Sequence, residues 1–203
     1  MKHPNLFIQA LSQEPLAEGL TKSQMLQMEA HWRQVLAWNA RTNLTAITDD
    51  RSAAAHHYAD SLAAQKYLKS GPVLDIGSGG GFPGIPLAIA RPDLEVTLLE
   101  PRRKRVSFLS SAVARQGLNN VTVIHGRIQD TPNRLHASAV TRATFSCAQD
   151  LMLCLNWLSE AGDFFAYRAV SSEIMPGATR SRYQAGGTAK VLDRLARPND
   201  TGE

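Results

Sequence analysis

The residues best suited to chemistry fall in one run, Asp75-Ile76-Gly77-Ser78-Gly79-Gly80-Gly81-Phe82-Pro83-Gly84, and in Glu100 downstream of it. Glycine admits positive φ and lets a ligand come close to the backbone. The five glycines of this run lead from an apolar segment, Val73 to Ile76, into a helical pattern, Ile85 to Ala90. A strand that turns on glycines into a helix presents backbone N–H groups at a helix N-terminus, where nucleotides bind. The next apolar run, Glu95 to Glu100, closes on a carboxylate. It stands about 20 residues after the glycines, the interval from which an acid grips a ribose diol. The two signals together predict a nucleoside-cofactor site.

Two cofactors fit that description. Gly79-x-Gly81-x-x-Gly84 matches the dinucleotide pattern literally, so an NAD(P)-dependent oxidoreductase of Rossmann type is one reading. The match starts late, after Gly77 has ended the strand, and Pro83 and Pro86 lack the N–H donors a pyrophosphate wants. S-adenosylmethionine carries no phosphate. Asp75, just before the first glycine, also fits an Asp-x-Gly-x-Gly-x-Gly methyltransferase loop, and methyl transfer is the leading reading.

The elements that hold this site follow from periodicity. Thr21, answered by Gln24, is a capping box opening a helix with Met25, Met28, Trp32, Val35 and Leu36 on one face. After the polar stretch Asn39 to Asp49, a second helix is expected over Ala53 to Leu68, carrying His56, His57, Asp60 and Ser61. Adjacent histidines on a helix point about 100° apart and do not readily share an ion, so no metal is expected. Pro72 then separates an N-terminal helical region, 1–71, from an α/β core, 72–170. In that core strands are expected at 73–76, 95–100, 121–124, 139–141 and 163–167, with helices at 84–90, 102–116 and 147–158. Such alternation implies a doubly wound, mostly parallel sheet whose ligands lie beyond the carboxyl ends of the strands. Gly77 to Phe82, Glu100, Arg127 to Gln129 and Arg142 are thereby gathered at one place. Arg142 is either a binding residue or a salt bridge of the sheet.

The 203 residues, 43% of them hydrophobic, suffice for one sizeable core. No apolar run approaches the roughly 20 residues that span a bilayer, and Met1-Lys2-His3-Pro4 has no signal-peptide layout. Cys147 and Cys154 read as core thiols of a cytoplasmic protein. A net charge of +4 mildly favours a polyanionic partner. Its one dense cluster, Arg102-Arg103-Lys104-Arg105, is either an RNA phosphate contact or a solvated helix face.

Five motifs occur in order: Asn43-Leu44-Thr45, His57-x-x-Asp60-Ser61, the glycine run through Ile85-Pro86-Leu87-Ala88, Lys104-Arg105-x-x-Phe108-Leu109, and Arg142-Ala143. Together they resemble the bacterial small-subunit ribosomal RNA guanine-N7 methyltransferases, also called glucose-inhibited division protein B, over roughly residues 5 to 168. The resemblance implies a class I (Rossmann-like) S-adenosylmethionine-dependent methyltransferase fold. It implies a guanine of 16S ribosomal RNA in the small ribosomal subunit as acceptor; a monomer with neither metal nor membrane is expected. Cofactor contacts carry over to Gly77, Phe82, Ile128, Gln129 and Arg142, beside Gly79 and Gly81, with Glu100 as the ribose carboxylate. No catalytic residue is identified; Arg142 and Arg168 are the candidates for positioning. RNA contacts are expected at Arg102, Arg103, Lys104 and Arg105.

Three departures from the family pattern stand out. Gln129 replaces the usual Glu, and Arg168-Ala169 replaces Lys-Gly at the end of the fifth strand, where Arg is no simple stand-in for Lys. Residues 171–203 read as an atypical or truncated tail without the family's closing β-hairpin, only Ala189 to Ala196 looking helical. That leaves 163–167 as an exposed edge. A catalytically impaired RNA-binding relic is therefore a second alternative. Guanine N7 bears a lone pair and no proton, so its methylation requires no general base, and the sequence shows no Ser/His/Asp or Cys/His constellation.

Overall fold

The structure, a computed structural model, describes residues 5–132, 134–142 and 148–197. At its centre β1 (Val73–Ile76) is buried along its whole length, as a strand covered on both faces must be. It pairs in parallel with β2 (Val96–Glu100) on one side and β4 (His136–Arg142) on the other. Outside these lie β3 (Val121–His125) and β5 (Leu158–Ala169), again parallel. The strand order is β3-β2-β1-β4-β5-β7-β6. It reverses between β1 and β4, so the ligand crevice opens beyond their carboxyl ends. A dinucleotide-binding sheet runs 3-2-1-4-5-6 in parallel. Here β7 enters between β5 and β6 and is antiparallel to both.

That last pair corrects the expectation for the tail. Thr179–Ala185 forms β6 and Thr188–Ala196 forms β7, a hairpin in which Ala185 faces Thr188. Gly186 and Gly187, with φ of 57° and 70°, are the two central residues of the turn. Two positive φ values in a two-residue loop match the twist of the flanking strands. The helical look of Ala189 to Ala196 comes from Val191, Leu192 and Leu195 at i, i+1 and i+4. In the sheet Val191, Leu192 and Asp193 are buried together, because β7 is covered on both faces, Leu192 in the core under the N-terminal helices and Leu195 against the smaller core. β5 is therefore covered, and the edge falls on polar β6. The hairpin is present, which removes the ground for a degraded relic.

The helices also differ in two places from the periodicity. α2 (Lys22–Thr42), following the short α1 (Leu6–Leu11), has its capping box: Gln24 N–H reaches Thr21 Oγ1 at 3.2 Å and Thr21 N–H reaches Gln24 Oε1 at 2.8 Å. It buries Met28, His31, Trp32 and Val35. The expected helix over Ala53 to Leu68 is three pieces. α3 (Asp50–Ala53), capped by Asp49, widens into a π-helical turn at Ala54–Ala59 and then tightens into a 3₁₀ turn at Leu62–Tyr67. π turns re-aim side chains and recur at functional sites. α4 (Gly84–Ala90) and α5 (Arg103–Gln116) follow β1 and β2 as expected, Gly117 ending α5 at φ 61°. α6 (Ala148–Leu155) stops short of the expected Leu158, which instead opens β5 opposite His136. The N-terminal helices cover one face of the sheet around Trp32, Tyr58 and Phe165; the smaller core around Leu74, Phe164 and Trp157 fills the other. Cys154 is buried in that smaller core, while Cys147 lies outside the described residues. Among the described residues no helix is long and apolar enough to cross a membrane.

Candidate active site

Most N–H groups of the turn after β1 are engaged within the protein, by its own backbone, by Leu99 of β2 and by two carboxylates. Gly77 N–H donates to Leu99 O (2.8 Å), Gly81 and Phe82 N–H both to Ser78 O (2.7 and 3.0 Å), and Ile85 N–H to Gly81 O (2.8 Å). Gly84 N–H is taken by Asp75 Oδ2 and Gly79 N–H by Glu100 Oε2, each at 2.9 Å. With Pro83 and Pro86 lacking donors, these bonds leave no run of adjacent N–H groups for a pyrophosphate. Close packing explains two of the glycines. A Cβ on Gly81 would stand 2.5 Å from Ile85 Cδ1, and one on Gly84 would stand 2.4 Å from Leu98 Cδ2. Asp75 is fully buried; burial pushes its carboxyl up to about 7, while the Gly84 N–H and the Ser78 hydroxyl pull it down. Its Oδ1 has no hydrogen-bond partner among the described residues.

Glu100, the last residue of β2, is 2% exposed. Besides Gly79 N–H, it accepts Arg102 N–H through Oε1 at 2.9 Å. A carboxylate offers about four lone-pair sites, so two remain for a diol. Beyond β3, Ile128 is buried and Gln129 exposed. The loop is pinned by Trp157 Nε1–H on Ile128 O (3.0 Å) and by Arg127 N–H on Asp130 Oδ2 (2.7 Å). Trp157 was not singled out by the sequence; it lies about 30 residues further along the chain, with nothing local to join it to this loop.

The other end of the crevice gathers more residues than sequence reasoning assigned to it. Arg142 Nη1 donates to His56 O (3.0 Å) and Asp60 Oδ2 (3.3 Å), and Nη2 approaches His57 Nδ1 (3.3 Å). Its guanidinium lies 5.1 Å from the centre of the Phe82 ring, which stacks on His57 at 4.6 Å. Asp60, 2% exposed, also accepts Tyr183 Oη–H (2.8 Å) and meets Lys190 Nζ (3.0 Å). The hairpin thus reaches the site through the π turn. The two histidines and the aspartate serve Arg142 here, and the described residues contain no group able to hold a metal ion. Burial first, and then the charges of Arg142 and Lys190, lower the pKa of His57 to about 3, so the ring is neutral.

The structure does not bring Arg168 to Arg142. Arg142 is in register with Tyr167, whose ring packs in the core under the N-terminal helices. Side chains alternate along β5, so Arg168 points to the other face, 3.9 Å from Asp193, which Arg180 clasps at 2.6 and 2.8 Å. The basic run also divides. Arg102, Arg103 and Lys104 are exposed, whereas Arg105 is half-buried, donates to Asn43 O at 3.2 Å and lies beside Gly79.

A family model described as GidB, rRNA small subunit methyltransferase G, matches residues 24–192. The chain belongs to this family. The match runs through β1 to β6 and into β7, so it takes in β6, the turn and the first half of β7. Curated ribosomal RNA small subunit methyltransferase G proteins are similar along most of the chain. That of Lachnoclostridium phytofermentans is 37% identical, covering 83% of this chain and 72% of its own. That of Clostridium beijerinckii is 34% identical, covering 90% and 80%. Among solved structures, an S-adenosylmethionine-dependent methyltransferase from Aquifex aeolicus aligns with a TM-score of 0.55 at 16% identity, covering 72% of this chain and 94% of its own. A precorrin-6y C5,15-methyltransferase from Geobacter metallireducens gives 0.52 at 11% identity, covering 73% and 90%. These two share the fold, that of class I methyltransferases. The oxidoreductase reading finds no support.

Proposed function

We propose that this protein transfers the methyl group of S-adenosylmethionine to N7 of a guanine in 16S ribosomal RNA of the small ribosomal subunit. The observation that carries the cofactor is the glycine turn: its N–H groups are engaged internally, while beside it Glu100 keeps acceptor sites for a ribose. A nucleoside without phosphate suits that chemistry. Family membership supports the ribosomal RNA acceptor.

Bound S-adenosylmethionine supplies a methyl group on a positively charged sulfur. Guanine N7 offers an unprotonated lone pair, so the protein's task is to align donor and acceptor, and no side chain has to remove a proton. In this reading Glu100 would hold the ribose, Ile128 and Gln129 would flank the adenine, and Gly77, Gly79, Gly81 and Phe82 would line the side of the sulfonium. Arg142, braced by Asp60 and His57, fixes the far end. Arg102, Arg103 and Lys104 take RNA phosphates, and the enzyme works as a cytoplasmic monomer without a metal. Methyl transfer to isolated small-subunit particles from labelled S-adenosylmethionine tests it. The expected product is 7-methylguanine in the small-subunit RNA; label in another base or in no RNA overturns the assignment.

A further inference from the structure

A line of hydrogen bonds runs from Arg142 to a hydroxyl at the rim of the crevice. A guanidinium only donates, so His57 Nδ1, 3.3 Å from Arg142 Nη2, is an acceptor and carries no proton. The ring is neutral, so its proton is on Nε2, 2.7 Å from Thr45 Oγ1. Thr45 Oγ1 therefore accepts from His57 Nε2–H, and at 3.0 Å it accepts from Ile47 N–H as well. A hydroxyl has two lone pairs and one proton to give. Both lone pairs are in use, and among the described residues no acceptor for the proton is found.

The position of that proton is set by a rigid loop. Asn39 Oδ1 accepts Leu44 N–H and Thr45 N–H at 2.8 and 3.0 Å, and Asn39 Nδ2 donates to Thr45 O at 2.9 Å. The loop lies over the glycine turn. Arg105 bridges Asn43 O and Gly79, Leu44 lies against Gly80, and His57 stacks on Phe82. Thr45 is half-buried and reaches the Phe82 end through His57.

We propose that the Thr45 hydroxyl donates to the carboxylate of the amino-acid tail of S-adenosylmethionine. The assignment rests on the cofactor proposed above. With the ribose at Glu100, the part of the cofactor that extends past Phe82 toward Arg142 is the amino-acid tail. Its ammonium has only donors, and its carboxylate only acceptors. Arg142 and Lys190 both meet Asp60, so positive charge stands near that tail.

Calorimetry with two ligands tests the proposal. S-adenosylhomocysteine has the tail; 5′-methylthioadenosine is the same nucleoside without it. Thr45→Val is expected to weaken S-adenosylhomocysteine about tenfold or more, as for loss of a bond to a charged group. It should leave methylthioadenosine binding unchanged, and Thr45→Ser should bind both as the wild type does. Equal weakening of both ligands, or none, overturns the proposal, because a loop that merely shapes the turn would not distinguish them. Nitrogen NMR of the imidazoles should show His57 as the Nε2–H tautomer; the Nδ1–H tautomer overturns it too. A wild-type protein that binds methylthioadenosine but not S-adenosylhomocysteine removes the carboxylate contact alone. One that binds neither removes the cofactor reading as well.

Discussion

At Glu100 the carboxylate already accepts the Gly79 and Arg102 N–H groups, so a ribose would meet a charged acceptor that is preset. Glu100→Ala should weaken S-adenosylmethionine binding by about 1.5–3 kcal/mol, the range for bonds to charged groups. Glu100→Gln, which keeps one acceptor for Gly79, should lose less; equal dissociation constants for wild type and Ala variant by calorimetry would sink the assignment. Asp75 carries a pH signature. Its folded pKa, about 7, lies above the ordinary 3.8, so between those values the folded state holds a proton the unfolded chain has released. Stability from this group is therefore present at low pH and lost as pH rises from about 4 to about 7. Denaturant melts of Asp75→Asn beside the wild type, compared at each pH, isolate its contribution. The variant should gain on the wild type across that interval, by up to about 4 kcal/mol. A difference independent of pH would mean that Asp75 is ionised throughout.

The π turn Ala54–Ala59 and the hairpin meet at Gly186. A Cβ there would lie 2.7 Å from His56 Cε1 and 2.8 Å from Ala55 Cβ, whereas one on Gly187 meets nothing within 4 Å. Both glycines have positive φ, so an alanine at either carries similar backbone strain. Gly186→Ala should consequently cost about 1–3 kcal/mol more than Gly187→Ala, the overpacking term alone. Chemical denaturation of the two variants measures it, and equal losses would show that the hairpin tip is not seated on the π turn. The hairpin had one plain sign in the sequence, Gly186-Gly187 between two short runs. The helical spacing of Val191, Leu192 and Leu195 masked it, since a strand covered on both faces need not alternate.

Across the molecule, the N- and C-terminal parts close on the site together. Gly186 N–H reaches Glu14, Tyr183 and Lys190 reach Asp60, and Tyr167 Oη–H reaches Ser61 O at 2.5 Å. The exposed basic residues Arg102, Arg103 and Lys104 stand at the start of α5, outside this closure. If they dock RNA, removing Arg102 and Arg103 should flatten the salt dependence of activity on small-subunit particles by roughly one to two logarithmic units per unit of log salt. Cofactor affinity should stay put. Parallel slopes for variant and wild type would make these side chains a solvated face. Arg105→Ala should behave differently, disturbing the Asn43 loop and cofactor binding rather than the salt slope.

What the sequence determined by itself was whatever short-range rules decide. Glycines after Ile76 dictate a turn, Glu100 falls at the end of the next strand, and Thr21 with Gln24 caps α2. Alternation of strands and helices then selects a parallel sheet with its crevice at the strand ends. Backbone sterics and hydrophobic period act over a few residues, so they are legible in a line of text. The tertiary structure decided which distant groups share a charge. His57 and Asp60 stand three positions apart on what the sequence offered only as a helix face, yet they brace Arg142, 82 positions beyond Asp60. Asp60 also binds Tyr183, a further 41 positions on from Arg142 and 123 from Asp60 itself. Arg168 looks like the counterpart of a site residue and is turned to the opposite face, where Asp193 waits on a strand that helical spacing concealed. Those pairings depend on sheet register and on burial, which set charges a few ångströms apart whatever their separation along the chain.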